Sequence, residues 1–91
     1  MKINIEVEQK INKEIELETP AYYSDGTRYS LITDEEIIQI GPTIIITWSK
    51  GSDYYGSNLS EILEESKPCD PEDFKNAHAY FINKVNGIIN A

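Results

Sequence analysis

Over residues 2–18 the chain alternates apolar and polar side chains by parity. Odd positions hold Ile3, Ile5, Val7, Ile11, Ile15 and Leu17; even positions hold Asn4, Glu6, Glu8, Glu14, Glu16 and Glu18. A period of two is the signature of a strand with one buried and one wetted face. Gln9 and Lys13 interrupt the apolar parity, which predicts two strands, about 2–8 and 13–19, with a turn between them. A helix is the rival, because Ile3, Val7, Ile11 and Ile15 also recur at every fourth position. The β-branched content and the extra Ile5 and Leu17 favour strands.

Pro20 closes that segment, and Ser24-Asp25-Gly26-Thr27 reads as a turn. Arg28–Thr33 alternates again and predicts a third strand. After a turn at Thr33–Glu36, Glu36–Ile40 predicts a fourth. Gly41-Pro42 is a tight connection into Thr43–Ser49, the most apolar strand of the chain, expected at the centre of the sheet. There Ile44, Ile46 and Trp48 share one side and are expected to face the closing helix.

The period then changes. Asn58 followed by Glu61 resembles a capping box, and Leu59, Ile62 and Leu63 make one apolar side of a short helix over 58–66. Lys67-Pro68 stops it. Asp70 as N-cap, Pro71 at the first helical position and Glu72 and Asp73 behind it start a second helix over 70–87. Its apolar face is Phe74, Ala77, Phe81 and Val85, and Asn86-Gly87 is the expected C-cap. Strands first and helices last give an α+β class. One domain spans 1–91: strands to 49, a loop over 50–57, then the two helices. The expected architecture is an antiparallel meander of about four or five strands, with a short helix and a C-terminal amphipathic helix packed on one face.

Charge narrows the function. Sixteen acids face eight bases, a net charge of −8, with a single arginine, Arg28. Nucleic-acid binding draws on lysine and arginine to displace counterions. Direct contact with nucleic acid, or with an anionic membrane, is therefore not expected; an acidic surface steers a basic protein instead. No run approaches the length of a membrane span, and the first ten residues lack the apolar core of a signal peptide. One cysteine, Cys69, excludes an internal disulfide. Together these predict a cytoplasmic protein.

The residues for catalysis are sparse. His78 and Cys69 lie nine positions apart, about 13 Å along a helix, too far for a dyad. His78 is expected to pack beside the helix's apolar face. Cys69 precedes a helix N-terminus, which lowers a thiol pKa, but Asp70, Glu72 and Asp73 oppose that. Two soft ligands do not make a zinc site, and neither SDGT nor DPED has the ligand series of a calcium loop. Neither a glycine-rich phosphate loop nor a G-x-S-x-G elbow is present. The expectation is a non-enzyme without cofactor or metal.

Two features suit binding. Acids at Glu6, Glu8, Glu14, Glu16 and Glu18 would stand about 6.6 Å apart along a strand face, near the spacing of phosphates in a nucleic-acid strand. The stretch 61–73 adds Glu61, Glu64, Glu65, Asp70, Glu72 and Asp73. The same acids are equally the solvated face of a sheet and the starting charges of helices. The tyrosine pairs Tyr22–Tyr23 and Tyr54–Tyr55, the latter beside Asp53, are either one aromatic contact patch or pairs in which one tyrosine packs on the core and the other points out.

The stretches KEIELETPAYYSDGTRYSLITDEEIIQIG and CDPEDFKNAHAYFINKV resemble small accessory proteins of gut Bacteroidota and of their phages and mobile elements. The resemblance covers roughly residues 13–86 and rests on structural motifs, so it carries over no site residues. It implies an intracellular setting and a gene of the kind phages encode. The expected function is a small acidic protein-binding module that inhibits a basic or nucleic-acid-handling partner, as anti-defence proteins such as CRISPR inhibitors, or immunity proteins, do. The alternative is an assembly subunit that forms a homodimer or larger homo-oligomer through its strand edges.

Overall fold

The computed structural model describes residues 2–6 and 12–91, with the backbone alone up to residue 15. Lys2–Glu6 (β1) and Asn12–Glu16 (β2) form an antiparallel hairpin whose register sets Ile3 against Ile15 and Ile5 against Lys13. The predicted strands thus exist. Val7, Glu8, Ile11 and the turn between the strands lie outside the described residues. After Leu17 the Thr19–Pro20 peptide bond is cis, and the chain enters the main sheet.

That sheet has five antiparallel strands. Ala21–Ser24 (β3), Tyr29–Ile32 (β4), Glu36–Ile40 (β5) and Ile45–Ser49 (β6) form the meander, and Lys67–Pro68 (β7) adds to the far side of β3. The order β6-β5-β4-β3-β7 corrects one expectation: β6 is an edge strand. Each turn is closed locally. Asp25 accepts from the Thr27 and Arg28 amides at 2.9 and 2.8 Å, while Gly26 takes the positive φ of 95° that the turn demands. Thr33 Oγ1 accepts from the Glu36 amide at 3.0 Å, and the Thr33 amide donates to the Glu36 carbonyl.

Pleating divides the sheet into two faces. Ala21, Tyr23, Ser30, Ile32, Ile37, Gln39, Ile46 and Trp48 share one, in rows set by the register. The helix Tyr55–Glu65 (α1) packs there: Tyr55, Leu59 and Ile62 join Leu17, Ala21, Ile32 and Ile37 in the core, with Tyr23, Trp48 and Leu63 at its margin. The hairpin strand β1 lies against α1. The second helix, Pro71–Ile89 (α2), covers part of the opposite face, against β4 and β5. There the Phe74 ring meets Tyr22 at 5.7 Å between centroids, tilted by 60°. The helices therefore sandwich the sheet, and Ile46 and Trp48 face α1 rather than the C-terminal helix. Ile44 precedes the strand and is 52% exposed.

Helix boundaries differ from expectation for identifiable reasons. α1 starts three residues early because Tyr55 extends the apolar series Tyr55, Leu59, Ile62; the Asn58 amide already donates to the Tyr54 carbonyl at 3.0 Å, inside the first turn. Asp70 occupies the N-cap position of α2, with its carbonyl accepting from the Asp73 amide. Gly87 does not end α2, which runs to Ile89. Only Phe74 of this helix is buried; Ala77, Phe81 and Val85 are half-buried, and Tyr80, Ile82, Ile88 and Ile89 are exposed. His78 is exposed too, on the flank of a contact stripe too narrow to cover it. Among the described residues, no helix is long and apolar enough to cross a membrane.

Candidate functional site

The two tyrosine pairs do not converge. Neighbours on a strand point to opposite faces, so Tyr23 borders the α1 core while Tyr22 stacks on Phe74 beneath α2. In the other pair Tyr55 is 7% exposed and donates its hydroxyl to the Thr33 carbonyl at 3.2 Å, whereas Tyr54 is 68% exposed. Burial, with Asp34 and Glu35 nearby, pushes the Tyr55 phenol up, so it stays a donor at neutral pH. Tyr55 is thus a core residue and Tyr54 a surface one, beside exposed Asp53. Tyr55→Phe is expected to cost about 1 kcal/mol through the lost hydrogen bond. Tyr54→Ala should stay within about 0.5 kcal/mol of the parent. Urea titrations of both variants check the division.

The acids are placed differently. Glu16 and Glu18 are exposed; Glu14 pairs with Asn4 in the hairpin ladder, and its side chain lies outside the described residues. Glu61, Glu64 and Glu65 are exposed on α1, and Asp70, Glu72 and Asp73 are exposed where α2 begins. Because α1 lies on one face, β7 on the β3 edge and α2 on the other face, the 61–73 run wraps this edge of the sheet. Glu72 approaches Lys75 at 3.7 Å on the surface. Cys69, half-buried in the same wrap, donates its amide to the Tyr22 carbonyl at 2.9 Å. Its thiol is pushed up by burial first and by Asp73 and Asp70 next, so it is not held as a reactive thiolate.

The sequence did not signal a groove of about 330 Å³ between α1 and β6. Its apolar side is Ile44, Ile46, Trp48 and Ile62; Gln39 and Asn58 are polar neighbours. Asp25, Glu61 and Glu65 supply three carboxylates against the one guanidinium of Arg28. The amides of Arg28 and Thr27 hold the Asp25 carboxyl below its ordinary pKa, so it is charged at neutral pH. The only available cue was the four-residue spacing of Glu61 and Glu65, which puts both on one flank of a helix. A shallower hollow of about 600 Å³ lies on the other face, between Tyr29 and Ile40 of the sheet and Ala77, Tyr80 and Phe81 of α2. No group of His, Cys, Asp and Glu among the described residues is arranged to hold a metal ion.

No protein family, curated protein or solved structure matches the chain.

Proposed function

We propose that this is a small acidic binding module that inhibits a basic, nucleic-acid-handling protein in the cytoplasm. The observation that carries the reading is the exposed acidic wrap, Glu61, Glu64, Glu65, Asp70, Glu72 and Asp73, which continues from one face of the sheet to the other around a single edge. The helix macrodipole favours the acids that open α2, where Asp70 makes no side-chain cap hydrogen bond, but disfavours the three on the middle and last turns of α1. Such a surface offers a nucleic-acid-binding protein carboxylates in place of phosphates, and steers it by long-range attraction. On this reading the module is an anti-defence or immunity-type protein; it binds the partner, not the nucleic acid or a membrane.

The test uses a partner captured from the host and then purified. Its association rate should fall steeply with added salt. It should fall on the order of tenfold or more in a Glu64→Lys, Glu65→Lys, Asp73→Lys variant that retains the parent's thermal midpoint. Association indifferent to both salt and charge reversal would refute the electrostatic reading.

A further inference from the structure

The two edges of the main sheet are finished differently. At β3 the edge is closed by β7, only two residues long and ending in Pro68, with the Cys69 amide bonded to Tyr22 beyond it. A short strand and a proline blunt an edge against further pairing. At β6 no described strand pairs on the outer side, and Thr43–Ser49 contains no charge, glycine or proline.

The ladder tells which groups that open edge presents. Gly41 bonds Ile44 at 2.8 Å and Lys50 bonds Glu35 at 2.8 Å, so the inward-bonded positions are Ile44, Ile46, Trp48 and Lys50. Antiparallel pairing alternates direction residue by residue. The N–H and C=O groups of Ile45, Thr47 and Ser49 therefore point out of the sheet. The side chains of Ile46 and Trp48 stand on the face where the carboxylate-rimmed groove runs along the same strand.

We propose that the β6 edge and this groove together receive one extended, lysine- or arginine-bearing segment of the partner protein. The inference rests on the acidic-module reading above; it shares Glu61 and Glu65 with the acidic wrap but uses the opposite edge of the sheet. A strand added to β6 would bond its backbone to Ile45, Thr47 and Ser49 and send alternate side chains to the groove side, about 6.6 Å apart. Glu61 and Glu65 are one turn apart on α1, a rise of about 6 Å. The helix runs along the strands, from Tyr55 at the Thr33 turn to Glu65 near Asp25 and Arg28. Two alternate basic side chains thus match two carboxylates. Their aliphatic stems cross Ile46 and Trp48, where an indole face also attracts a cation. Three carboxylates against Arg28 leave the groove negative, which selects a basic segment over an acidic one and over a second copy of a chain carrying −8.

Trp48 is the only tryptophan and lines the groove, so its fluorescence reports occupancy. The probe is a short alternating lysine–threonine peptide, compared with its glutamate–threonine counterpart and with a form N-methylated at alternate amides. The lysine peptide is expected to shift Trp48 emission, and the two controls are not. Glu61→Gln with Glu65→Gln should weaken the peptide on the order of tenfold and flatten its salt dependence. Thr47→Pro should abolish the shift with the parent's circular dichroism kept, since it removes an outward donor and leaves the β5 ladder intact; Ser49→Pro is the second variant should Thr47→Pro not fold. A lysine peptide that binds equally to both kinds of variant overturns this placement while leaving the acidic-module reading standing. A concentration-dependent dimer lost in Thr47→Pro overturns it in favour of a second copy. A lysine peptide that leaves Trp48 emission unchanged overturns this placement, whereas the acidic-module reading falls only with partner association indifferent to salt and charge reversal.

Discussion

Ile37→Ala is expected to remove about 3–4 kcal/mol of stability. Ile37 is fully buried, paired with Ile32 on one side and Trp48 on the other, and roofed by α1. Its two neighbouring strands and the helix are fixed by their own ladders and turns, so the space left by the side chain cannot readily collapse. A domain of this length has about 5–14 kcal/mol in total. The variant should therefore melt about 12–32 °C below the parent, at about 4–8 °C per kcal/mol. Ile37→Val, which removes one methylene, should cost only about 1 kcal/mol. Thermal and urea unfolding followed by far-ultraviolet circular dichroism check both. Equal losses for the two variants would show that the site relaxes around the cavity.

Phe74→Ala acts on the other face and should cost about 3 kcal/mol. It is the one buried residue of the 19-residue α2, and its ring is the partner of Tyr22. The remaining stripe, Ala77, Phe81 and Val85, is only half-buried, so little else ties the helix down. The loss should appear first as local release: amides of α2 should exchange with solvent ahead of those in β4 and β5. Protection falling uniformly through the chain would mean that α2 and the sheet unfold as one unit.

Much of this architecture was legible because its signals are local. Alternation identified β1, β2, β4 and β5, but not β3, because Ala21–Ser24 has no alternation of apolar and polar residues and reads only as the approach to a turn; nor did it show that the β1–β2 hairpin stands as a sheet of its own. Asp25-Gly26 fixed one turn, and Pro71 after Asp70 marked the start of α2. The spacing Tyr55, Leu59, Ile62 also held the true start of α1, but the Asn58–Glu61 pair was the more familiar cue and drew the boundary inward. The position of β6 was not legible. β6 carries uncharged, largely β-branched residues on both sides, half-buried Ile46 and Trp48 toward α1 and Ile45, Thr47 and Ser49 on the other, and composition cannot distinguish such an edge strand from a centre. The two-residue β7 carries no pattern of its own; it is a strand only because β3 is beside it. The groove depends on which flank of α1 faces β6, a tertiary relation with no local trace. The acidic wrap was visible as a charge run, but its passage around an edge required knowing that the two helices lie on opposite faces.

That passage through β7 also has a kinetic side. Every other pairing in the main sheet joins strands that follow one another along the chain, through short turns. The β3–β7 pairing alone joins distant stretches, Tyr23 to Pro68, and encloses nearly the whole meander and α1 in its loop. Loop-closure entropy makes such a contact costly until the intervening elements have condensed. The meander and α1 are therefore expected to assemble before β7 clasps them, an order that pulse-labelled amide exchange during refolding would check through later protection at Tyr23 and Cys69 than in β4 and β5.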